Sequence, residues 1–314
     1  DNIGHHIVRN NTIFACEQTG MCGSMGASFS VIENNHIYDI WTKRQFNGAE
    51  IGGIKFHAAL DARIAHNRIH NTGRALWLDW MTQGTHVSSN LFYGNDLEDI
   101  FLEVNHGPFL VENNILASHR SILEQSQGGA YVHNLICGKI HNYVEHGRYT
   151  PYFLPHSTEV AGLSIIPGGD DRFYNNLFAT VDFENSDKAL GSFGLKGYEK
   201  TAYPMYVDGN VYYGAAVPFV KEDHKLVDAS FVPDVSIEEE GDKVFLVIKN
   251  KDLKQVETQM ITTDKLGTAK LPKQRYEYPD GKPIQINYDY LGNPRGEHPT
   301  SGPLESLQAG EMKK

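Results

Sequence analysis

Short apolar runs alternate with polar residues along the first two thirds of the chain, and the alternation keeps returning to one phrase. A short lead, an asparagine and one or two apolar residues recur as IVRNNTIF, VIENNHIY, IAHNRIHN, VSSNLFYG, VENNILAS, YVHNLICG, FYNNLFAT and VDGNVYYG. The asparagines are Asn11, Asn35, Asn67, Asn90, Asn114, Asn134, Asn176 and Asn210, at intervals of 24, 32, 23, 24, 20, 42 and 34 residues. A period in the low twenties with occasional insertions fits a solenoid of short strands; helical repeats are longer and richer in Ala, Leu and Glu. The runs GGIKFH, LWLDW, IFLEV and SILEQ are short and often β-branched or aromatic, as strands are. Coils stacked at about 4.8 Å would let inward asparagines bond from turn to turn. The pattern predicts an all-β, right-handed parallel β-helix. A β-sandwich with Asn-rich turns is the competing fold, and eight recurrences speak against it.

The repeat fades after about residue 222, which divides the chain into β-helix coils over 1–222 and a C-terminal β-rich extension over 223–314. Within the extension SIEEEGDKVFLVIKN predicts a hairpin turning at Glu-Gly-Asp, and the Pro- and Gly-rich tail after it is expected to pack along the solenoid or cap it. At the other end Ile3 and Ile7 would begin an uncapped coil, so upstream sequence or a partner chain is expected to complete the β-helix.

One repeat of sequence is one step along a solenoid. Aligning LWLDW on IFLEV superposes Leu78 on Leu102 and Asp79 on Glu103. With alternating side chains the leucines face the core and both acids project from one outer face, roughly 5 Å apart. That separation suits a retaining glycosidase, whereas an inverting enzyme needs room for a water between its acids. The preceding strand puts Lys55 or His57 beneath Asp79, a cation that favours its ionised form and the part of nucleophile. The following strand aligns Glu124 above Glu103, so that Glu103 lies between acids and suits a proton donor. Trp77 is expected beside Asp79 as a ring face for a sugar, His106 as a hydroxyl ligand, and Trp80 at the strand end facing the core. A solvated acidic face or a calcium site, as in polysaccharide lyases of similar architecture, is the plainer alternative.

Composition narrows the partners. A formal charge of −11 argues against a nucleic-acid groove or an anionic membrane surface, and no apolar run approaches a transmembrane length. Three cysteines, Cys16, Cys22 and Cys137, are too few for a disulfide framework and fit a reducing, cytoplasmic bacterial-type setting. No CxxC or HExxH pattern supports a zinc site, and neither metal nor cofactor is expected. The chain has no starting Met, so its natural N-terminus is not fixed. A homo-oligomer stays open.

The stretch WLDWMTQGT…NLFYGNDLEDIFLEVNHGPFLVENNIL resembles glycoside hydrolase family 120, the β-xylosidases, and the likeness continues loosely to GPLESL in the tail. That family is built on a right-handed parallel β-helix with an intervening β-sandwich. Its nucleophilic Asp lies in the WLDW phrase, which matches Asp79, and its acid/base Glu in an E-V-x-H-G-P phrase, which matches Glu103. The resemblance implies a retaining, exo-acting enzyme releasing xylose from the non-reducing ends of xylobiose and short β-1,4-xylo-oligosaccharides. It also implies that the chain corresponds to the C-terminal half of the family's longer catalytic module. A calcium-dependent polysaccharide lyase and a non-catalytic carbohydrate-binding β-helix are the other readings.

Overall fold

The computed structural model describes residues 3–48, 50–183, 189–241, 243–248, 254–306 and 312–313. Each Asn phrase folds as two short strands joined by a bend, two residues long in the first seven and the single Gly209 in the last. The residue before the ladder asparagine is left-handed in every coil: Asn10, Asn34, His66, Ser89, Asn113, His133, Asn175 and Gly209, with φ between 53° and 73°. Short polar residues and Gly tolerate that conformation best, which is why the phrase is so stereotyped. Strands before the bend stack into an eight-stranded parallel sheet, from Ile7–Arg9 to Tyr206–Asp208. Strands after it form a nine-stranded one, from Thr12–Phe14 to Lys225–Asp228, and a six-stranded third sheet closes the coil. The result is the predicted right-handed parallel β-helix.

The eight asparagines form one ladder. Each side-chain Nδ2 donates to the Oδ1 of the next coil's asparagine at 2.9–3.1 Å, from Asn11 to Asn210. Asn11 Nδ2 also donates to Arg9 O, and from Asn35 onward Nδ2 also donates to a main-chain carbonyl of the preceding coil, as Asn90 does to Ile64 O at 2.9 Å. Buried amides are tolerated because every donor has a partner. The ladder ends on Glu222, whose Oε1 accepts from Asn210 Nδ2 at 2.8 Å while Oε2 accepts from Tyr212 Oη at 2.6 Å.

The solenoid interior is filled by rows such as Ile54, Leu76, Ile100 and Ile122. Outside it, the hairpin Val235–Glu240 and Lys243–Ile248 covers the nine-stranded sheet through Val235 and Leu246 against Leu91, Leu135 and Val211. The tail covers the eight-stranded sheet through Ile261, Leu266, Tyr276 and Ile284 against Leu110, Val132 and Tyr174. Asp242 of the expected hairpin turn and residues 307–311 of the tail lie outside the described residues. At the first coil Ile7 and Phe14 are exposed.

Candidate active site

The third sheet carries the acids. Its strands Gly52–His57, Leu76–Asp79, Ile100–Glu103 and Arg120–Gln125 pair in parallel, so that His57, Asp79, Glu103 and Gln125 form one row. Leu78 and Leu102 form the inward neighbour row, and both acids therefore face outward from adjacent coils.

Asp79 is held from the coil beneath. Its Oδ2 lies 3.0 Å from Lys55 Nζ and 2.7 Å from His57 Nε2. Both expected residues thus reach the same oxygen, His57 from directly beneath and Lys55 from two residues back along that strand. Lys55 is only 1% exposed, and its second partner is Glu50 Oε2 at 2.6 Å. Asp79 Oδ1 receives no hydrogen bond from the described residues, and Arg148 Nη2 stands 4.0 Å away.

Glu103 has a different environment. Arg148 Nη1 bonds its Oε1, and Trp77 Nε1 donates to Oε2 at 3.0 Å. Burial and then the charge of Asp79 push the Glu103 carboxyl up, and Arg148 opposes them. Two neighbouring carboxyl groups therefore differ in kind. One keeps an oxygen free of donors, and the other is biased towards holding a proton.

Two expected placements, those of Glu124 and Trp80, need correction, and Trp77 and His106 are covered where open contacts were expected. Glu124 does not stand above Glu103: it pairs with Leu102 and points into the solenoid, where Tyr131 and Tyr198 donate to it. Burial raises its carboxyl to about 7. Its coil is shortened from 24 residues to 20, and the shared Leu-Glu dipeptide misleads by one position, which is enough to turn a side chain to the other face. Gln125 takes the place instead.

Trp77 is on the acids' face but offers no open ring. Lys55 Nζ and Arg74 Cζ lie 5.0 and 4.7 Å from its centroid, and Phe101 stacks on it. His106 is buried beneath a hairpin, its Nε2 donating to Thr150 O at 2.9 Å and its Nδ1 accepting from Gln127 Nε2 at 3.0 Å. Burial lowers it to about 4, so it is a neutral fastener of that hairpin. Trp80 is 38% exposed rather than core-facing. The strand ends at Asp79, and Trp80 begins a left-handed bend with φ 29°.

Arg148, Glu50 and Gln125 join the site without a signal in the motifs themselves. Arg148 comes from the antiparallel hairpin Glu145–Phe153 and Val160–Ile166, inserted where the asparagine interval stretches to 42. That long interval is the one sequence feature that points to it, since it marks an excursion from the coil. No group of three His, Cys, Asp or Glu arranged to hold a metal occurs among the described residues. No helix among them is long and apolar enough to cross a membrane.

The family model for the right handed beta helix region matches residues 1–136. No curated protein matches the chain. A solved structure of XylC in complex with xylose is 43% identical, with a TM-score of 0.89. The match covers 99% of this chain and 52% of that one, so the chain is similar to about half of that protein.

Proposed function

We propose that the chain carries the catalytic centre of a retaining β-xylosidase of the glycoside hydrolase family 120 type. In this reading it releases xylose from the non-reducing ends of xylobiose and short β-1,4-xylo-oligosaccharides, with Asp79 as nucleophile and Glu103 as acid/base. The observation that carries the reading is the register of Asp79 against Glu103 with opposite surroundings. Strand spacing leads us to expect carboxyls about 5 Å apart on adjacent strands, the separation of a double-displacement enzyme. The sugar is supported by the 43% identical XylC, whose structure is a complex with xylose. The remaining subsites belong, in this proposal, to the rest of such a protein or to a partner chain.

The chemistry follows from the environments. Lys55 and His57 fix Asp79 through Oδ2 and leave Oδ1 to attack the anomeric carbon. As that bond forms, the glycosidic C–O bond breaks and the Glu103 proton passes to the leaving oxygen. Esterification removes the Asp79 charge that had raised Glu103. Glu103 is then held ionised, and so able to accept a proton, just when a base is needed. It takes a proton from water, the water oxygen bonds to the anomeric carbon, and the Asp79 ester bond breaks with the β configuration restored.

The test is NMR of the first-formed sugar from an aryl β-xyloside, with azide rescue of the variants. β-Xylose should appear first, Asp79→Ala should be inactive, and Glu103→Ala with azide should yield the β-xylosyl azide. α-Xylose appearing first, or rescue of Asp79→Ala rather than Glu103→Ala, overturns the assignment.

A further inference from the structure

The hairpin that delivers Arg148 is seated by an ordered series of side chains, one from each successive coil. Glu145 Oε2 accepts from Gln125 Nε2 at 2.8 Å, and Thr150 O accepts from His106. The Gln83 side chain bonds both main-chain groups of Phe153, Oε1 accepting from N and Nε2 donating to O, each at 3.0 Å. At the tip His156 Nδ1 lies 3.0 Å from Asp61 Oδ2, and its Nε2 lies 3.2 Å from Glu277 Oε1 of the tail. As the hairpin advances from 145 to 156, its partners step back through 125, 106, 83 and 61. The strand therefore runs along the solenoid axis, beside the row of site residues.

The supports share an origin. Asp61 and Gln83 lie four residues after His57 and Asp79, and His106 lies three after Glu103. The bend they leave begins in each coil with a left-handed residue, Ala58, Trp80 or Val104. One local geometry thus serves twice: it ends the site strand at the reacting side chain and aims the next polar residue at the hairpin. All three supports are buried; Gln83 also donates to Gln274 of the tail and His106 accepts from Gln127, and their remaining side-chain bonds run to the hairpin rather than to Asp79 or Glu103. Arg148 lies between the Gln125 and His106 fastenings and reaches both acids.

We propose that Gln83, His106 and the Asp61–His156–Glu277 cluster are positioning residues: they register this hairpin so that its guanidinium is held between the two carboxyl groups, and they act on turnover only through Arg148. The proposal rests on the glycosidase reading of the pair. A guanidinium on a long side chain holds such a position only if its backbone is fixed, and a misplacement of about 1 Å near reacting atoms costs as much as a hundredfold in rate.

The experiment is a double-mutant cycle between the hairpin tip and Arg148. His156→Ala, alone and with Arg148→Ala, is assayed on an aryl β-xyloside for kcat and KM, with hydrogen exchange followed over residues 145–153. Alone, His156→Ala should speed exchange there and lower kcat/KM by about tenfold to a hundredfold. Combined with Arg148→Ala, it should cost less than about twofold more, because its route to the site is already gone. If His156→Ala does not fold, Glu277→Gln replaces it in the same cycle, keeping the shape and an acceptor. An equal cost in both backgrounds, or faster exchange with unchanged kcat/KM, overturns the proposal. If the wild-type protein hydrolyses no glycoside, the functional reading falls by itself. The hairpin is then judged by exchange and by the Glu103 titration in carboxyl 13C NMR, which must move the same way in His156→Ala as in Arg148→Ala.

Discussion

The indole Nε1 of Trp77 donates to Glu103 Oε2 at 3.0 Å, across the boundary between two coils. The residue expected as a sugar platform thus also bonds the proposed acid. That donor stabilises the ionised carboxylate, against the burial and the Asp79 charge that raise it. Trp77→Phe keeps an aromatic packed on Phe101 and removes the donor, so the Glu103 carboxyl should rise further. In its proposed role of general acid, Glu103 works while protonated. The alkaline limb of kcat/KM for an aryl xyloside should therefore move to higher pH. A limb that stays in place or moves down would show that this hydrogen bond does not govern the acid.

The asparagine ladder predicts a steep stability cost at its centre. Asn90 Oδ1 accepts from both the main-chain N and Nδ2 of Asn67, and Asn90 Nδ2 donates to Asn114 Oδ1 and Ile64 O. Asn90→Ala strands two buried donors and leaves a gap. Each unsatisfied buried group costs about 1–3 kcal/mol, so a loss of about 3 kcal/mol or more is expected in urea unfolding. A loss below about 1 kcal/mol would mean that the coils are held by their strands and core alone.

The same two sets of residues explain what the sequence makes readable. All eight ladder asparagines are visible because each bend needs the same left-handed residue and the same amide, whatever the coil length. The register of Asp79 on Glu103 is visible because their coil keeps the 24-residue period between Asn90 and Asn114. The orientation of Glu124 is not, because the next coil is shorter and period-2 faces do not survive a one-residue slip. The exposure of Trp80 is hidden in the same way, since alternation stops where its strand ends. Arg148 meets Glu103 across 45 residues through a hairpin outside the repeat, and no local pattern encodes that meeting. Trp77 and His106 lie in the expected coils, but Lys55 and Phe101, which cover Trp77, come from neighbouring coils, and Thr150, which covers His106, comes from the hairpin.

The carboxylates of the site already have partners within the chain. Lys55 and His57 hold Asp79, Lys55 also holds Glu50, and Arg148 holds Glu103. A calcium ion bound there would have to displace buried or half-buried side chains, and the double displacement proposed needs only two carboxyls and water. Xylosidase activity should survive exhaustive treatment with EDTA. Loss that added calcium restores would move the protein towards lyase chemistry.

Glu222, which ends the ladder, sets a pH dependence of stability that can be isolated. Burial raises its carboxyl from 4.5 to about 7, although Tyr212 and Asn210 donate to it. A raised folded-state pKa means that the folded protein binds this proton more tightly than the unfolded chain. The contribution is complete below about pH 4.5 and is lost as pH rises through about 7. Its upper bound is about 3 kcal/mol, from 1.36 kcal/mol per unit. Glu222→Gln keeps an acceptor for Asn210 and a partner for Tyr212 but cannot titrate. Between about pH 5 and pH 8 the melting temperature of the wild-type protein should fall more steeply than that of Glu222→Gln. Asp99, Glu112 and Glu124, raised to about 8, 7 and 7, titrate in both proteins and cancel in the difference. Parallel melting curves across that range would mean that the end of the ladder is not titrating there.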